Sequence, residues 1–258
     1  MWQSHTTGLR LRLASPSRSS RCNRTHQAGH LTAVSADSRW ERFAREDPLR
    51  YIDPAISGRM TIEEFAASGE LLVASVLEWA APLPGNRRAV EIGCGVGRYT
   101  VALASRFGLV DGIDVSPTMI ALARQVGVPD NVSLHAGSGR DLAGVRDGAY
   151  DLAFSHLVLQ HIADRAVIVS YLREVARVLV PGGVAALQFD TRPRSALVSC
   201  AHALPDPLLP RLHRRGARRV RLPAALVRSW AIDAGLVVAG ERGADTAEHW
   251  LRLVRPGA

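Results

Sequence analysis

The sequence predicts an α/β protein in which helices cover both faces of a mostly parallel sheet. From residue 83 onward, short apolar runs that are typical of buried strands alternate with amphipathic runs of helical period. The first apolar run, RAVEIG, enters a loop with glycines at positions 93, 95 and 97, and a helical run follows at once. Because helices separate these strands, we expect the strands to run in parallel within one sheet.

Length and composition indicate a globular protein large enough for one sizeable domain. The chain has 258 residues, of which 47% are hydrophobic and 22% charged, as in ordinary globular enzymes. No apolar run approaches the roughly 20 residues that span a bilayer, so we expect no membrane partner. The cysteines Cys22, Cys94 and Cys200 are too far apart for a disulfide framework or a zinc site. This favours a reducing, cytoplasmic location, and no metal is expected.

The formal net charge of +8 originates in two short segments. All 32 basic residues are arginine; five lie in residues 1–36 and six in residues 211–221, and neither segment contains an acid. Subtracting these eleven charges from +8 leaves −3 for the rest of the chain. Residues 1–36 are rich in serine and arginine and lack apolar periodicity. We interpret them as a disordered tail of a bacterial protein, with a transit peptide as the alternative.

Residues 37–82 are predicted to form a helical cap ahead of the sheet. Two stretches, SRWERFAREDPLRY and TIEEFAASGELLVASVLEWAAPL, are interpreted as helices. In the second stretch Thr61 and Glu64 fit a capping box, and PLPG ends the helix. Aromatic residues of the cap either shield a bound ligand or pack on the core: Trp40, Phe43, Tyr51 and Phe65.

The core, residues 83–192, follows as strands and helices. RAVEIG, LVDGIDV, NVSLHAG, YDLAFSHL and VAALQFD are predicted strands. The predicted helices span residues 98–106, the stretch SPTMIALARQ, and residues 164–179. Ser116 can cap the second helix and Pro117 suits its first turn, whereas the Pro-Gly-Gly stretch at 181–183 is expected to stop the third.

The C-terminal part divides into two pieces. Residues 193–222 are interpreted as an insertion that forms a lid over the substrate site. Residues 223–258 contain a predicted helix, PAALVRSWAIDAG, and two closing strands, LVVAGER and EHWLRLVR. Residues 37–258 are therefore predicted to form one domain.

The glycine loop and two carboxylates define the candidate ligand site. Ligands of an open parallel sheet bind beyond the carboxyl ends of its strands, where glycines allow close approach of the backbone. Glu91 precedes the loop by two residues, and Asp114 ends the second strand, where a carboxylate can accept hydrogen bonds from a ribose diol. Dinucleotide sites use G-x-G-x-x-G, but here the spacing is G-x-G-x-G and Arg98 stands at the position of the third glycine. The residues indicate an adenosyl ligand, either NAD or S-adenosylmethionine.

Four stretches resemble successive motifs of class I S-adenosylmethionine-dependent methyltransferases of the bacterial small-molecule type: VEIGCGVGRYT, GIDVSPTMIALAR, YDLAFSHLVLQHI and LREVARVLVPGG. The resemblance is close over residues 85–191 and looser in the C-terminal strand pair. It implies a Rossmann-like three-layer α/β/α sandwich whose seven-stranded sheet is parallel except for an antiparallel last strand. It also implies S-adenosylmethionine as cofactor and in-line methyl transfer to an O, N or C nucleophile.

The resemblance further implies a role for each candidate residue of the cofactor site. Gly93, Gly95 and Gly97 are expected to face the methionine part of the cofactor, while Glu91 holds its amino group and Asp114 binds the ribose hydroxyls. The other implied contacts are Val115 or Met119 beside the adenine, Ser138 and Gly139 near the adenine amine with Asp141 three residues after Ser138, and Ser155 and His156 beside the sulfonium.

His156 and His161 are the candidate catalytic residues. They flank LVLQ beside the methyl site that the resemblance implies, and either can serve as a general base. The alternative is that each histidine hydrogen-bonds a neighbouring loop. After the fifth strand, Asp190 and Arg192 are candidates for a substrate contact, with ordinary strand-end polarity as the alternative.

Four interpretations of function stay open. The first is methyl transfer to a small-molecule metabolite. The second is an RNA methyltransferase that uses the arginines at 211, 214, 215 and 218, which follow helical spacing. No aromatic residue lies among them to stack on bases, which disfavours a nucleic-acid partner. The third is a non-catalytic S-adenosylmethionine-binding protein. The fourth is an NAD(P)-dependent oxidoreductase, which the glycine spacing disfavours.

Overall fold

A computed structural model of the protein describes residues 38–46, 62–193 and 220–257. Within these residues the helices are α1 (Ser38–Glu46), α2 (Ile62–Ala80), α3 (Arg98–Ala104), α4 (Pro117–Val126), α5 (Arg165–Val178) and α6 (Ala224–Asp233). The strands are β1 (Arg88–Ile92), β2 (Leu109–Asp114), β3 (Val132–Ala136), β4 (Tyr150–Ser155), β5 (Leu179–Phe189), β6 (Val237–Arg242) and β7 (His249–Val254). The predicted tail, Tyr51, Thr61 and the arginines at 211, 214, 215 and 218 lie outside the described residues.

The seven strands form one sheet in the order β3-β2-β1-β4-β5-β7-β6. Pairing is parallel from β3 across to β5, whereas β7 runs antiparallel to both of its neighbours, β5 and β6. The predicted fold class, including the antiparallel last strand, is confirmed. The direction in which successive strands are added reverses between β1 and β4, and such a switch point is where open α/β sheets bind their ligands.

Alternate residues of the central strands are buried on opposite faces of the sheet. In β1, Val90 belongs to an apolar cluster with residues of α5 and α6, while Ala89 belongs to a second cluster with residues of α2 and α3. In β4, Ala153 joins the first cluster and Phe154 the second. Because both faces are covered by helices, the strands read as continuous apolar runs, as the sequence analysis assumed.

Helix α2 lies directly against the start of α3. At Gly69 a Cβ atom would come within 2.5 Å of the carbonyl oxygen of Arg98, so only glycine allows this approach. Phe65 of α2 is buried and lies under the Arg98 guanidinium, whose central carbon is 5.2 Å from the ring centroid. Within the described chain, no helix is long and apolar enough to cross a membrane.

The predicted ends of α4 and α5 are present, but the predicted start of β5 needs a correction. The Ser116 hydroxyl accepts a hydrogen bond from the backbone N–H of Met119, and Pro117 occupies the first turn of α4. The helix predicted over residues 164–179 is α5, Arg165–Val178, and it ends ahead of Pro-Gly-Gly as predicted, but β5 begins at Leu179 and not after the glycines. A proline disfavours helical geometry in the residue before it, so the chain leaves the helix ahead of Pro181. Residues 181–183 instead lie within β5, where the register to β4 shifts.

Candidate functional site

The loops that follow the parallel strands β1 to β5 lie at the carboxyl edge of the sheet. This edge includes the switch point between β1 and β4. The predicted site residues come from these loops and from the strand ends that precede them. The sheet therefore places them along one edge although they span about a third of the sequence.

The glycine loop between β1 and α3 has a backbone that other residues rarely adopt. Gly93, Gly95 and Gly97 have φ angles of +77°, +54° and +90°. At Gly93 a Cβ atom would also come within 2.2 Å of a methyl carbon of Val158, so this residue is glycine for packing as well as for conformation. The Gly93 N–H donates to the carbonyl of Ile113 over 2.7 Å and thereby ties the loop to β2.

Glu91 is a buried acid beside this loop, with 1% of its surface exposed. One carboxylate oxygen, Oε2, accepts a hydrogen bond from the Thr100 hydroxyl over 2.5 Å. Among the described residues none donates a hydrogen bond to Oε1. Burial raises the pKa of Glu91 to about 8, despite the hydrogen bond from Thr100, and the charge of Asp114 adds to the rise. A cationic ammonium group fits such a carboxyl, because it would supply both a donor and a compensating charge.

Asp114, at the end of β2, links the glycine loop to the start of α4. Its Oδ2 accepts from the Gly95 N–H over 2.9 Å, and its Oδ1 accepts from the Ser116 N–H over 2.8 Å. Burial raises the pKa of Asp114, although these two N–H groups oppose the rise. Each carboxylate oxygen has two lone pairs, so acceptor capacity remains on both oxygens and fits the hydroxyls of a ribose.

Val115 and Gly139 face each other across the next part of the edge. A Cβ atom at Gly139 would lie 2.9 Å from a methyl carbon of Val115, and Met119 is buried nearby on α4. The Ser138 hydroxyl donates to Asp141 over 2.6 Å and accepts from the Asp141 N–H. Ser138 and Asp141 therefore bond to each other. All the residues predicted for the adenine region lie in the loops after β2 and β3 or in α4.

The cap helix α1 docks on this region through Glu41, which the sequence analysis missed. The Ser116 hydroxyl donates to Glu41 over 2.6 Å, and Thr118 donates through both its N–H and its hydroxyl. Burial opposes ionisation of Glu41, but these hydrogen bonds outweigh it and lower its pKa to about 2. A carboxylate at the first turn of α4 also complements the helix dipole. No local pattern identifies this contact, because Glu41 precedes Ser116 by 75 residues.

The end of β4 is held by protein contacts. The Ser155 hydroxyl is fully buried and donates to the carbonyl of Ile92 in β1. The ring nitrogens of His156 lie 2.8 Å from the Tyr99 hydroxyl and 3.0 Å from a carboxylate oxygen of Glu248. The His156 ring also stacks on Trp250, with 5.0 Å between ring centroids. Both nitrogens of this predicted base therefore have protein partners, none of which the sequence analysis identified.

His161, the second predicted base, lies under the cap. Its ring meets the Trp40 ring edge-on, with 5.1 Å between centroids, and its Nε2 lies 3.5 Å from the Gln160 amide nitrogen. Trp40 and Glu41 are adjacent in α1, so this one helix contacts both the end of β4 and the end of β2. The cap thus spans the edge along which the predicted cofactor residues lie.

A buried amide network supports the loop after β4. Leu157 has a φ angle of +60°, which is unfavourable for a bulky residue, and its N–H donates to the Gln188 side chain over 2.9 Å. The Gln188 amide nitrogen in turn donates to Gln160 and to the carbonyl of Ala247. This network fixes the backbone next to His156, which is evidence that the wall of the site is rigid here.

Asp190 and Arg192, the two predicted substrate contacts, bond to each other after β5 ends. Asp190 is buried, and its carboxylate accepts from the Arg192 side chain over 2.6 and 3.0 Å. This pairing raises the pKa of the Arg192 guanidinium, so it stays charged. Asp190 uses two of its five N–H donors, and no other side chain or carbonyl of the described residues accepts from the guanidinium.

The comparisons with known proteins identify the family of this chain. Residues 90–187 match the family model described as a methyltransferase domain. The ubiquinone biosynthesis O-methyltransferase of Bordetella avium is 31% identical to this chain over 176 residues, and the match covers 65% of this chain and 70% of that protein. The chain belongs to the class I S-adenosylmethionine-dependent methyltransferases. S-adenosylmethionine is the cofactor of this family.

Two further similar proteins match this chain to different extents. The 2-methyl-6-phytyl-1,4-hydroquinone methyltransferase of Synechocystis is 28% identical over 137 residues, which cover 52% of this chain but only 41% of that enzyme. The structure of magnesium protoporphyrin IX methyltransferase from Synechocystis, solved with its cofactor bound, has a TM-score of 0.57 and 19% identity. It covers 87% of this chain and 99% of that chain, and it shows the fold. This chain therefore spans less than half the length of the hydroquinone methyltransferase.

Proposed function

We propose that this chain is an enzyme that transfers a methyl group from S-adenosylmethionine to an O, N or C nucleophile of a small molecule. The observation that supports the proposal most directly is that two carboxyls, the buried Glu91 and the partly buried Asp114, lie beside the glycine loop. Within the part of the chain that the structure describes, Glu91 has a partner on one oxygen, and Asp114 retains acceptor capacity on both oxygens. An amino group and a ribose diol are the two polar ends of the methionine and adenosine parts of this cofactor.

The residues of the chain divide the work of binding. The cofactor supplies an electrophilic methyl group on a sulfonium, which needs no metal and no covalent intermediate for its transfer. Glu91 accepts hydrogen bonds from the amino group, and Asp114 accepts them from the ribose. Gly93, Gly95 and Gly97 let the backbone lie against the methionine part. The remaining contacts are Val115, Met119, Ser138 and Gly139 around the adenine, with Ser155 behind the methyl site.

The rate enhancement then comes from alignment and exclusion of water. Helix α1 supports this role, because Trp40 covers His161 and Glu41 fastens the helix to α4. His161 is the better placed of the two predicted bases for a proton transfer from the acceptor. His156 is a positioning residue in this proposal, since Tyr99 and Glu248 occupy its ring nitrogens. Residues 37–258 act as one domain, in the cytoplasm of a bacterium.

The test is a calorimetric titration of the full chain with S-adenosylhomocysteine and, separately, with NAD. We expect micromolar binding of S-adenosylhomocysteine and no binding of NAD. The variant Asp114→Ala should weaken binding by about tenfold or more, the value of a hydrogen bond to a charged group. The control Asp130→Ala removes an exposed carboxylate elsewhere on the surface and should leave affinity unchanged.

Two other results would contradict the proposal. Binding of NAD in place of S-adenosylhomocysteine would indicate an oxidoreductase, and binding of neither would exclude both cofactors. Transfer of a tritiated methyl group to metabolites in a cell extract then tests catalysis itself. Tight binding of S-adenosylhomocysteine without any transfer would identify a non-catalytic binding protein, and label in RNA would identify the RNA methyltransferase.

A further inference from the structure

A positively charged cleft of about 560 Å³ opens where the chain leaves β5 and enters α6. Four arginines line it, Arg165, Arg192, Arg221 and Arg228, and the one carboxylate among its lining residues is Asp245. The volume is in the range of sites for small molecules. The sequence analysis singled out Arg192 as a substrate contact and placed Arg221 in the basic segment 211–221. It did not bring the four arginines together, because they come from three separate segments of the chain.

Three of these arginines, Arg165, Arg192 and Arg228, retain donors that no described residue uses. Arg165 is exposed, and among the described residues none accepts a hydrogen bond from its side chain. Arg228 donates to Glu241 only through Nη1, over 2.9 and 3.1 Å, which leaves its Nε and Nη2 donors available. Arg192 retains the donors that Asp190 does not occupy. Planar guanidinium groups with unused donors match the geometry of carboxylate and phosphate oxygens.

The start of helix α6 adds backbone donors to the same cleft. Pro223 occupies the position before the helix, and no side chain caps it. Ala224 and Ala225, the first two residues of α6, line the cleft. The first N–H groups of a helix have no partner within the helix and carry the positive end of its dipole. The uncapped helix end and the arginine cluster therefore favour the same kind of ligand, an anion.

The cleft lies on the same edge of the sheet as the cofactor residues. Thr191 and Arg192 follow β5 directly, and β5 is the neighbour of β4, which ends at Ser155. The backbone N–H of Val220 donates to the carbonyl of Gln160, and that of Leu222 donates to the carbonyl of Asp190. The segment that enters α6 therefore crosses the edge between the loop after β4 and the end of β5.

We propose that this cleft binds an oxyanion, a carboxylate or a phosphate group, of the methyl acceptor. The proposal rests on the proposed function, because it makes the acceptor an acidic small molecule. The cationic lining disfavours acceptors that carry a positive charge. Asp245 restricts the choice further, since an acceptor that approaches it needs a hydroxyl or another hydrogen-bond donor beside its acidic group.

The experiment titrates the full chain, saturated with S-adenosylhomocysteine, with inorganic phosphate and separately with citrate as a carboxylate probe. We expect at least one probe to bind, and the preferred probe distinguishes the two kinds of oxyanion. Arg165→Gln should weaken that binding by about tenfold or more. The control Arg173→Gln changes the same charge on an exposed part of the same helix, and it should have no effect.

The acceptor is tested with the same protein. Label transferred from tritiated S-adenosylmethionine to extract metabolites should be retained by an anion-exchange resin, and Arg165→Gln should reduce the transfer. Absence of phosphate and citrate binding, equal effects of the two variants, or label confined to neutral and cationic metabolites would each overturn the inference. Failure of the proposed function has a different signature, because wild-type protein would then fail to bind S-adenosylhomocysteine before either probe is added.

Discussion

The two halves of the sheet's carboxyl edge hold their polar groups in different ways. At β1 and β2, Glu91 has a hydrogen-bond partner among the described residues on one oxygen, Asp114 retains acceptor capacity, and the pKa of each carboxyl is raised. At β4 and β5 the polar groups have protein partners, as Ser155, His156 and Gln188 illustrate. The first half retains polar capacity for a ligand, whereas the second half is a fixed wall.

This difference indicates where recognition of the acceptor must come from. A wall whose donors and acceptors bond to each other has little left to offer a substrate. Unused donors near this half occur farther out, in the arginines of the cleft beside α6. The half at β1 and β2 therefore offers acceptors that suit the cofactor. Beside the half at β4 and β5, the groups that could select the methyl acceptor lie outside the strands.

Gly93 lies where the two halves meet, and its replacement should have the largest effect. A Cβ atom there would clash with Val158 at the β4 end, and the φ angle of +77° is unfavourable for any other residue. We expect Gly93→Ala to lower the free energy of unfolding by about 3 kcal/mol, measured by urea denaturation. The matched control is Gly144→Ala, since Gly144 has a φ angle of +84° and nothing within 4 Å of the added atom.

The control isolates the cost of the backbone conformation, which should be about 1 kcal/mol. The difference between the two variants then measures how tightly the glycine loop packs against the loop after β4. Equal losses in the two proteins would show that the halves are not in rigid contact. The half at β4 and β5 would then not be a fixed wall for the half at β1 and β2.

Glu91 should couple cofactor binding to proton release. Below about pH 8 its carboxyl is protonated in the protein without ligand, because burial raises its pKa to about 8. An ammonium group stabilises the ionised form, so binding must expel the proton. Affinity for S-adenosylhomocysteine should therefore rise with pH, by up to about tenfold per unit, and become constant above about pH 8.

The measurement is calorimetry at about pH 7 in two buffers that differ in ionisation enthalpy, which counts the protons released. Glu91→Gln keeps the shape of the side chain but has no proton to lose, so it should bind more weakly and release fewer protons. Equal proton release by wild type and variant would mean that the titrating group lies on the ligand or elsewhere in the chain. Glu91 would then not contact the amino group.

The parts of this structure that sequence could predict are those that short patterns determine. Strand–helix alternation and four motifs were enough for the sheet, its antiparallel last strand and the cap at Ser116. The start of β5 was misassigned, because Pro-Gly-Gly is a local turn pattern, whereas β5 begins before it at Leu179, which pairs with Tyr150 of β4. The fold and the positions of the predicted cofactor residues at β1 and β2 follow from residues that are close together in the sequence.

The remainder depends on contacts between distant segments. Glu41 bonds to Ser116 across 75 residues, and His156 bonds to Glu248 across 92. Neither carboxylate stands out in the sequence, since each lies in a short polar stretch that fits an exposed surface. The partners of His156 could therefore not be predicted from the sequence, whereas the place of Asp114 at the end of β2 could.

The smallest effect should come from the pair His156 and Glu248. Glu248 is about half exposed, so its interaction with the His156 ring should contribute only about 0.5 kcal/mol to stability. A double-mutant cycle with His156→Gln and Glu248→Gln measures this coupling, and a cycle of His156→Gln with the distant Glu46→Gln should give none.

If His156 only positions the wall, methyl transfer by His156→Gln should stay within about tenfold of wild type. A general base contributes about a hundredfold or more. If His156→Gln lowered the rate of methyl transfer about a hundredfold without any coupling to Glu248, His156 would be a catalytic residue. The end of β4 would then be part of the site at which the methyl group is transferred.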